Sequence, residues 1–300
     1  EPVRRVRKDR SQAPLALGLM LPSLIVVLGV VLYPLGRTLV LSFFDVTSSV
    51  QTDLPFVGLG NYRRLFSDPY FWATLGRTVA FTLLSTGVQL VCGLALAQFL
   101  NQKIRGQWLF RGVVVFAWAL PTIVNANMWR WILNSQYGPL NALLTQVGVI
   151  DSYKDWIGGP WQALLVVALA DSWKTVGLVA ILLFAGLQTI PEELYEAAAL
   201  DGAGVWRRYL HITLPLLKPT ILVVLVLRTI EAFKVFDIVY VMTRGGPASG
   251  TTTIAFYTYL QAFSNQQFGL GSALAYVTVA CIMVLAVVYM RMLGRKESAS

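Results

Sequence analysis

The chain has 300 residues, of which 56% are hydrophobic and 13% charged, with a formal net charge of +9 and a mean hydropathy of +0.63. A soluble domain carries about 25% charged residues, so the composition excludes an ordinary water-solvated globule and favours a chain embedded in lipid. Nucleic acid is not the expected partner of the positive charge, because Lys and Arg cluster in short stretches between apolar runs, as juxtamembrane loops do.

Arg4, Arg5, Arg7, Lys8 and Arg10 precede a first apolar run at about 15–35. Its roughly 21 residues, at ~1.5 Å each, suffice to cross a hydrocarbon core of ~30 Å. No small-residue cleavage site follows, so the run is expected to remain as a helix and not to be removed as a signal peptide. Five further apolar stretches lie at about 73–99, 109–132, 162–188, 216–242 and 270–293. Turn formers separate them, among them Gly58-Leu-Gly-Asn61, Tyr137-Gly-Pro139, Gly158-Gly-Pro160 and Gly245-Gly-Pro247. Pro121, midway through the third stretch, is expected to kink it. The predicted fold is all-α and integral to the membrane. It comprises a basic segment 1–14, a six-span domain 15–293 with a long loop at 189–215, and a tail 294–300. No internal repeat and no second soluble domain is evident.

Alternate loops carry Lys and Arg unequally, fourteen on the side of the termini against seven on the other. The positive-inside rule therefore places both termini in the cytoplasm. The aromatic outer loops, with Tyr62, Phe66, Tyr70, Phe71 and Trp72, are expected to form interfacial helices. Cys92 and Cys281 fall in distant apolar runs and read as small buried hydrophobes, and His211 is the only histidine. Neither a metal cluster nor a His-activated nucleophile is expected.

The loop after the fourth span, Pro191 to Pro219, reads PEELYEAAALDGAGVWRRYLHITLPLLKP. Pro191 suits a helix start, and Glu192, Glu193 and Glu196 favour the positive end of the helix dipole. Ala197, Ala198 and Ala199 are strong helix formers. Gly202 and Gly204, with Ala203 between them, permit a tight turn at the glycines before a second short helix holding Trp206, Arg207 and Arg208, which Pro215 is expected to close. Such a helix–turn–helix on the cytoplasmic face is either a plain amphipathic connector or a surface that another protein approaches closely.

The spacing Glu196-Ala197-Ala198, three residues, Gly202, nine residues, Ile212-x-Leu214-Pro215 resembles the EAA motif of binding-protein-dependent ABC permeases. Val57-Gly-Leu-Gly-Asn-Tyr62, Trp173-Lys174, Ala185-Gly-Leu-Gln-Thr-Ile-Pro191 and Gly245-Gly-Pro247 extend the resemblance to the sugar-importer branch, of maltose or trehalose type. It implies a type I importer permease of a prokaryotic cytoplasmic membrane that works with a second homologous permease, two ABC ATPase subunits and an extracytoplasmic solute-binding protein. It further implies that residues 196–204 dock on an ATPase, with Glu196 and Asp201 as polar contacts and Gly202 setting the turn. No cofactor is expected in this chain: ATP and Mg would sit on the partner ATPase, and no G-x-x-x-x-G-K-[ST] loop occurs here.

Ionisable residues at bilayer depth cost roughly 2.5–3.5 kcal/mol each and mark functional sites. Asp171 and Lys174 share a helical face. Arg228, Glu231, Lys234 and Asp237 recur every third residue, a row that drifts ~60° per step. They are either ion pairs that fix helix register or a polar lining for solute. Under the second reading Asp171, Lys174, Thr175, Arg228, Glu231 and Lys234 meet sugar hydroxyls, and Trp173 offers an apolar platform. Asn125 and Asn127 are weaker lining candidates, and Trp129, Arg130 and Trp131 read as an interfacial anchor. Glycerol phosphate is an alternative cargo that Arg228 and Lys234 could meet. An ion-coupled secondary transporter is the alternative class, disfavoured by the absence of an inverted repeat. A membrane-embedded enzyme lacks a catalytic cluster.

Overall fold

The computed structural model describes residues 13–48, 53–102 and 105–294. These residues are almost wholly helical, with no sheet and one isolated bridge between Phe44 and Phe56. In chain order the helices are α1 (Gly18–Leu41), α2 (Gly60–Ser67), α3 (Pro69–Leu100), α4 (Gln107–Ala119), α5 (Thr122–Ile132) and α6 (Pro139–Gln146). They continue as α7 (Pro160–Leu187), α8 (Glu192–Leu200), α9 (Val205–Phe233), α10 (Asp237–Met242), α11 (Ile254–Tyr259) and α12 (Phe268–Gly294). Five of these, α1, α3, α7, α9 and α12, are long and apolar enough to cross a membrane, and the bent pair α4–α5 makes a sixth crossing if counted as one. The chain is a multi-pass helical membrane protein.

Three local outcomes differ from the sequence reading. The third stretch is not kinked but broken, its halves meeting at 93°. Leu120 and Pro121 are both extended there, because the residue before proline is driven out of the helical region. The fifth span stops at Phe233, and Lys234–Phe236 separate it from α10. Pro215, expected to close a short helix, instead stands second in a regular segment that follows a wide π turn at Tyr209–Thr213, so α9 runs unbroken from Val205. The π turn shifts the hydrogen-bond ladder where proline has no N–H to give. Cys92 also departs from expectation, lying exposed and not buried.

The described residues form two compact units. One runs up to Leu65 and includes Gln261–Tyr276. Within it the Gly58-Leu-Gly-Asn61-Tyr62 stretch acquires a physical meaning. Gly58 turns at φ +52, and Asn61 then donates its amide to the carbonyls of Ser42 and Phe44, each at 2.9 Å. Tyr62 hydrogen-bonds Ser42 at 2.8 Å. Gly269 packs so tightly on the Phe44 carbonyl that a Cβ would collide with it. The end of α1 is thus fastened by side chains where its last carbonyls lack helical partners. None of the apolar window of α1 is buried.

The second unit comprises Phe66–Leu260 and the segment from Val277 onward. Its centre is α3 against α7, brought close by small residues, as is usual between membrane helices. A Cβ on Gly93 would lie 2.5 Å from Val179, and one on Gly177 would strike the Val114 carbonyl of α4. Gly186 likewise accommodates Leu217 and Thr220 of α9. One apolar core, with Phe81, Leu164, Val167, Ile238 and Val239, lies toward α10; another, with Ala97, Leu183, Leu187, Leu217 and Val224, lies toward α8. Between them the helices enclose polar groups.

Candidate functional site

Those polar groups open onto a cavity of about 540 Å³ in the second unit, walled by α4, α5, α7, α9 and α10. The volume is in the range of small-ligand sites. Asp171, Lys174, Thr175, Arg228, Glu231 and Lys234 all line it, as do Asp237, Trp118, Thr122 and Phe236. Residues 171, 174, 175, 178 and 182 present one face of α7, which is the spacing of a helical stripe.

The charges divide into two kinds. Asp171 and Arg228 are nearly buried, with side-chain exposures of 13% and 8%, and their charged atoms lie 3.9 Å apart. Gln89 of α3 bridges them: its Nε2 donates to Asp171 Oδ2 at 3.0 Å, and its Oε1 accepts from Arg228 Nε at 2.8 Å. Ser85 donates to the same Asp171 oxygen at 2.7 Å. The pair is therefore desolvated yet hydrogen-bonded, the condition under which buried charge is tolerated. Glu231 and Lys234, by contrast, form a 2.9 Å ion pair with about half of each side chain exposed. Lys174 donates to Thr122 at 2.8 Å, tying α7 to the first turn of α5.

Some expected residues fall elsewhere. Trp173 is 56% exposed and absent from the cavity wall. It is two residues from both Asp171 and Thr175, about 200° around the helix from each. The aromatic surface in the wall comes instead from Trp118 and Phe236. Asn125 is buried and donates to the Ala170 carbonyl at 3.0 Å, fixing α5 against α7, while Asn127 bonds back to Ile123 within its own helix. Gln89, Ser85, Thr122, Trp118 and Phe236 carry no signal in the sequence, apart from being polar or aromatic within apolar runs.

The second candidate surface is the loop after α7. Pro191 precedes α8, and Glu192 and Glu193 occupy its first turn. The helix ends in a Schellman motif: Gly202 N–H donates to the Ala199 carbonyl at 3.1 Å and Ala203 N–H to the Ala198 carbonyl at 2.9 Å. That closure requires a left-handed residue, and Gly202 has φ +76. Gly204 sits at φ −65 before α9, so the left-handed requirement falls on Gly202 alone of the two. Tyr195 anchors α8 by a 2.9 Å hydrogen bond to Thr213. Glu196, Ala197, Asp201, Gly202 and Gly204 remain exposed, whereas Ala198 and Ala203 are half-buried. Leu200, Val205 and Trp206, 90%, 78% and 70% exposed, add an apolar rim, of which the sequence reading named only Trp206.

Residues 89–297 match the family described as binding-protein-dependent transport system inner membrane component. The chain is 40% identical over 281 residues to the trehalose/maltose transport system permease protein MalF of Thermococcus litoralis, covering 93% of this chain and 94% of that protein. It is 39% identical over 304 residues to the sulfoquinovosyl glycerol transport system permease protein SmoG of Agrobacterium fabrum, covering 97% and 98%. In fold it resembles a chain of a bacterial ABC transporter involved in the import of the acidic polysaccharide alginate, with a TM-score of 0.82 at 22% identity over 97% of this chain and 99% of the other.

Proposed function

Because this chain belongs to the family of binding-protein-dependent transport system inner membrane components, and is therefore the transport subunit of an ABC importer, we propose that its cavity carries an uncharged sugar across the cytoplasmic membrane. The observation that carries this reading is the balance of the cavity wall. Asp171, Glu231 and Asp237 face Lys174, Arg228 and Lys234, three charges of each sign. A net-neutral wall rich in donors and acceptors suits hydroxyl groups, and the faces of Trp118 and Phe236 suit a sugar ring. A phosphate-bearing cargo such as glycerol phosphate would need surplus positive charge, which Glu231 beside Lys234 removes. A relative named for trehalose and maltose supports an uncharged glycoside, whereas one named for sulfoquinovosyl glycerol, which bears a sulfonate, supports only the glycoside class.

In this reading both termini face the cytoplasm, and α8 with its Gly202 turn docks on one of two ATPase subunits. Glu196 and Asp201 supply polar contacts, and Ala197, Ala198, Ala203 and Gly204 let the partner's surface approach the backbone. A second homologous permease completes the pathway, and an extracytoplasmic binding protein delivers the sugar. ATP-driven closure of the ATPases then moves a two-state membrane domain between inward and outward openings.

Reconstitution of the complete transporter in proteoliposomes tests the proposal. Uptake of a disaccharide should require ATP, the ATPase subunits and the binding protein. Glu231→Ala should lower uptake at least tenfold without reducing co-purification of the other subunits, on the order expected when a polar group in a binding site loses its partner. Uptake that persisted without ATPase and followed a pH gradient would refute it.

A further inference from the structure

Behind the cavity the second unit holds a separate recess of about 260 Å³, between α3, α9 and α12. Val79, Leu83 and Gly87 form its α3 side, Leu225 and Phe233 its α9 side, and Leu285 its α12 side. The two spaces lie back to back. On α9 the recess takes Leu225, Thr229 and Phe233, whereas the cavity takes Leu227, Arg228 and Glu231. At ~100° per residue the two sets stand roughly 150° apart around the helix. On α3, likewise, Ser85 and Gln89 hold Asp171 and are not part of the recess wall.

The recess is lined with hydrocarbon. Its wall carries no charge among the described residues, and its hydroxyls are withdrawn from it. Thr229 and Tyr289 hydrogen-bond each other at 2.9 Å, joining α9 to α12. The oxygens of Thr82 and Thr86 are buried, so these residues show the recess carbon and not oxygen. A Cβ on Gly87 would meet no atom of the described residues within 4 Å. Gly87 stands about 27 Å along α3 from Pro69 and about 20 Å from Leu100, at ~1.5 Å per residue. A hydrocarbon core of ~30 Å centred on this helix therefore has the recess near its midplane. Leu83, 69% exposed, and Val79 stand at the mouth, so the recess opens sideways at that depth. Water does not settle where it finds no polar partners, and a lining with nothing against it forfeits its dispersion contacts. A neighbouring helix, ~10–12 Å across with its side chains, is too wide to enter, whereas an unbranched hydrocarbon chain is not.

We propose that this recess binds one acyl chain of a membrane phospholipid, seated by its methyl-terminal half. The proposal rests on the membrane fold and not on the identity of the cargo. The headgroup stays at the interface, ~15 Å from the midplane, and the chain is held by packing, as helices in lipid hold one another. A seated chain fills the space between α12 and the two helices whose other faces carry Gln89 and Arg228. The lipid thus backs the 2.8 Å hydrogen bond that spans α3 and α9 beside the cavity.

The test places the complete transporter in vesicles of phosphatidylethanolamine and phosphatidylglycerol, doped with a phosphatidylcholine that carries a diazirine on one acyl chain. Illumination followed by peptide mapping locates the attachment. With the diazirine near the methyl end, residues 79–87 of α3 and 285–289 of α12 should be labelled; with it near the headgroup, about fivefold less. Gly87→Phe, which puts a ring into the recess, should cut that labelling about fivefold, while labelling of the exposed α1 changes by less than about twofold. Gly87→Ala, whose methyl has room, should also stay within about twofold of wild type. Gly87→Leu repeats the plug with a smaller side chain should the ring prevent folding. Recess labelling that is missing in the wild type, or that survives both plugs, overturns the site. So does loss of the second permease subunit on co-purification of the Gly87→Leu variant, which would mark the recess as an interface between subunits.

Discussion

Gln89, behind the cavity wall, joins the two buried charges of the site, and nothing in its sequence position announces it. It donates to Asp171 and accepts from Arg228, so one amide satisfies two buried ions on different helices. Gln89→Leu keeps most of the volume but removes both bonds. Leaving such groups under-satisfied costs roughly 1–3 kcal/mol, and the expected outcome is a lower thermal unfolding midpoint of the detergent-solubilised protein. An unchanged midpoint would show that the bridge contributes nothing to stability. The charges themselves were legible, because ionisable residues are rare in membrane spans and Asp171, Lys174, Arg228 and Glu231 stand out against apolar neighbours. Their partners were not. Gln89 is 82 residues from Asp171, and only packing of α3 on α7 brings them together. Trp173 shows the reverse: an aromatic residue next to the cavity-lining Lys174 that the turn of the helix carries away from the cavity wall.

Among elements, the loop after α7 was the most readable, since its helix, its turn and its closing glycine follow local rules. Proline cannot adopt the φ of +76 seen at Gly202. Gly202→Pro should therefore break the end of α8 and uncouple ATP hydrolysis from transport, leaving ATPase activity that no longer responds to sugar-loaded binding protein. Normal coupling in that variant would remove the turn from the docking surface. Gly202→Ala, with a left-handed penalty of about 1–2 kcal/mol, should impair coupling less. The ends of the third and fifth spans were harder to read. Pro121 announces a bend but not a full break, and the charged row that includes Lys234 marks polarity in the fifth span without marking where its helix stops. Both breaks arise where backbone restriction by proline, or tertiary packing of Phe236, overrides continuity.

For the whole molecule, the five or six crossings follow from the spacing of the apolar runs, and the sidedness proposed from the distribution of Lys and Arg can be measured directly. In a variant with Cys92 and Cys281 replaced by Ala, Gln102→Cys, at an exposed position outside the docking loop, should react with a membrane-impermeant maleimide in inverted vesicles only, and Ser249→Cys in right-side-out vesicles only. The opposite pattern would invert the proposed orientation. The exposed apolar window of α1 needs lipid or another subunit to cover it, as a spanning helix does. The broken third crossing has a wider consequence. Trp118 precedes the break and Thr122 follows it, and both stand in the cavity wall. The chamber is therefore built across an elbow, and any swing of one forearm against the other resizes the room available to the passenger. A substitution that changes the bend would therefore change the room for cargo with it, and a bulkier passenger would be accommodated there.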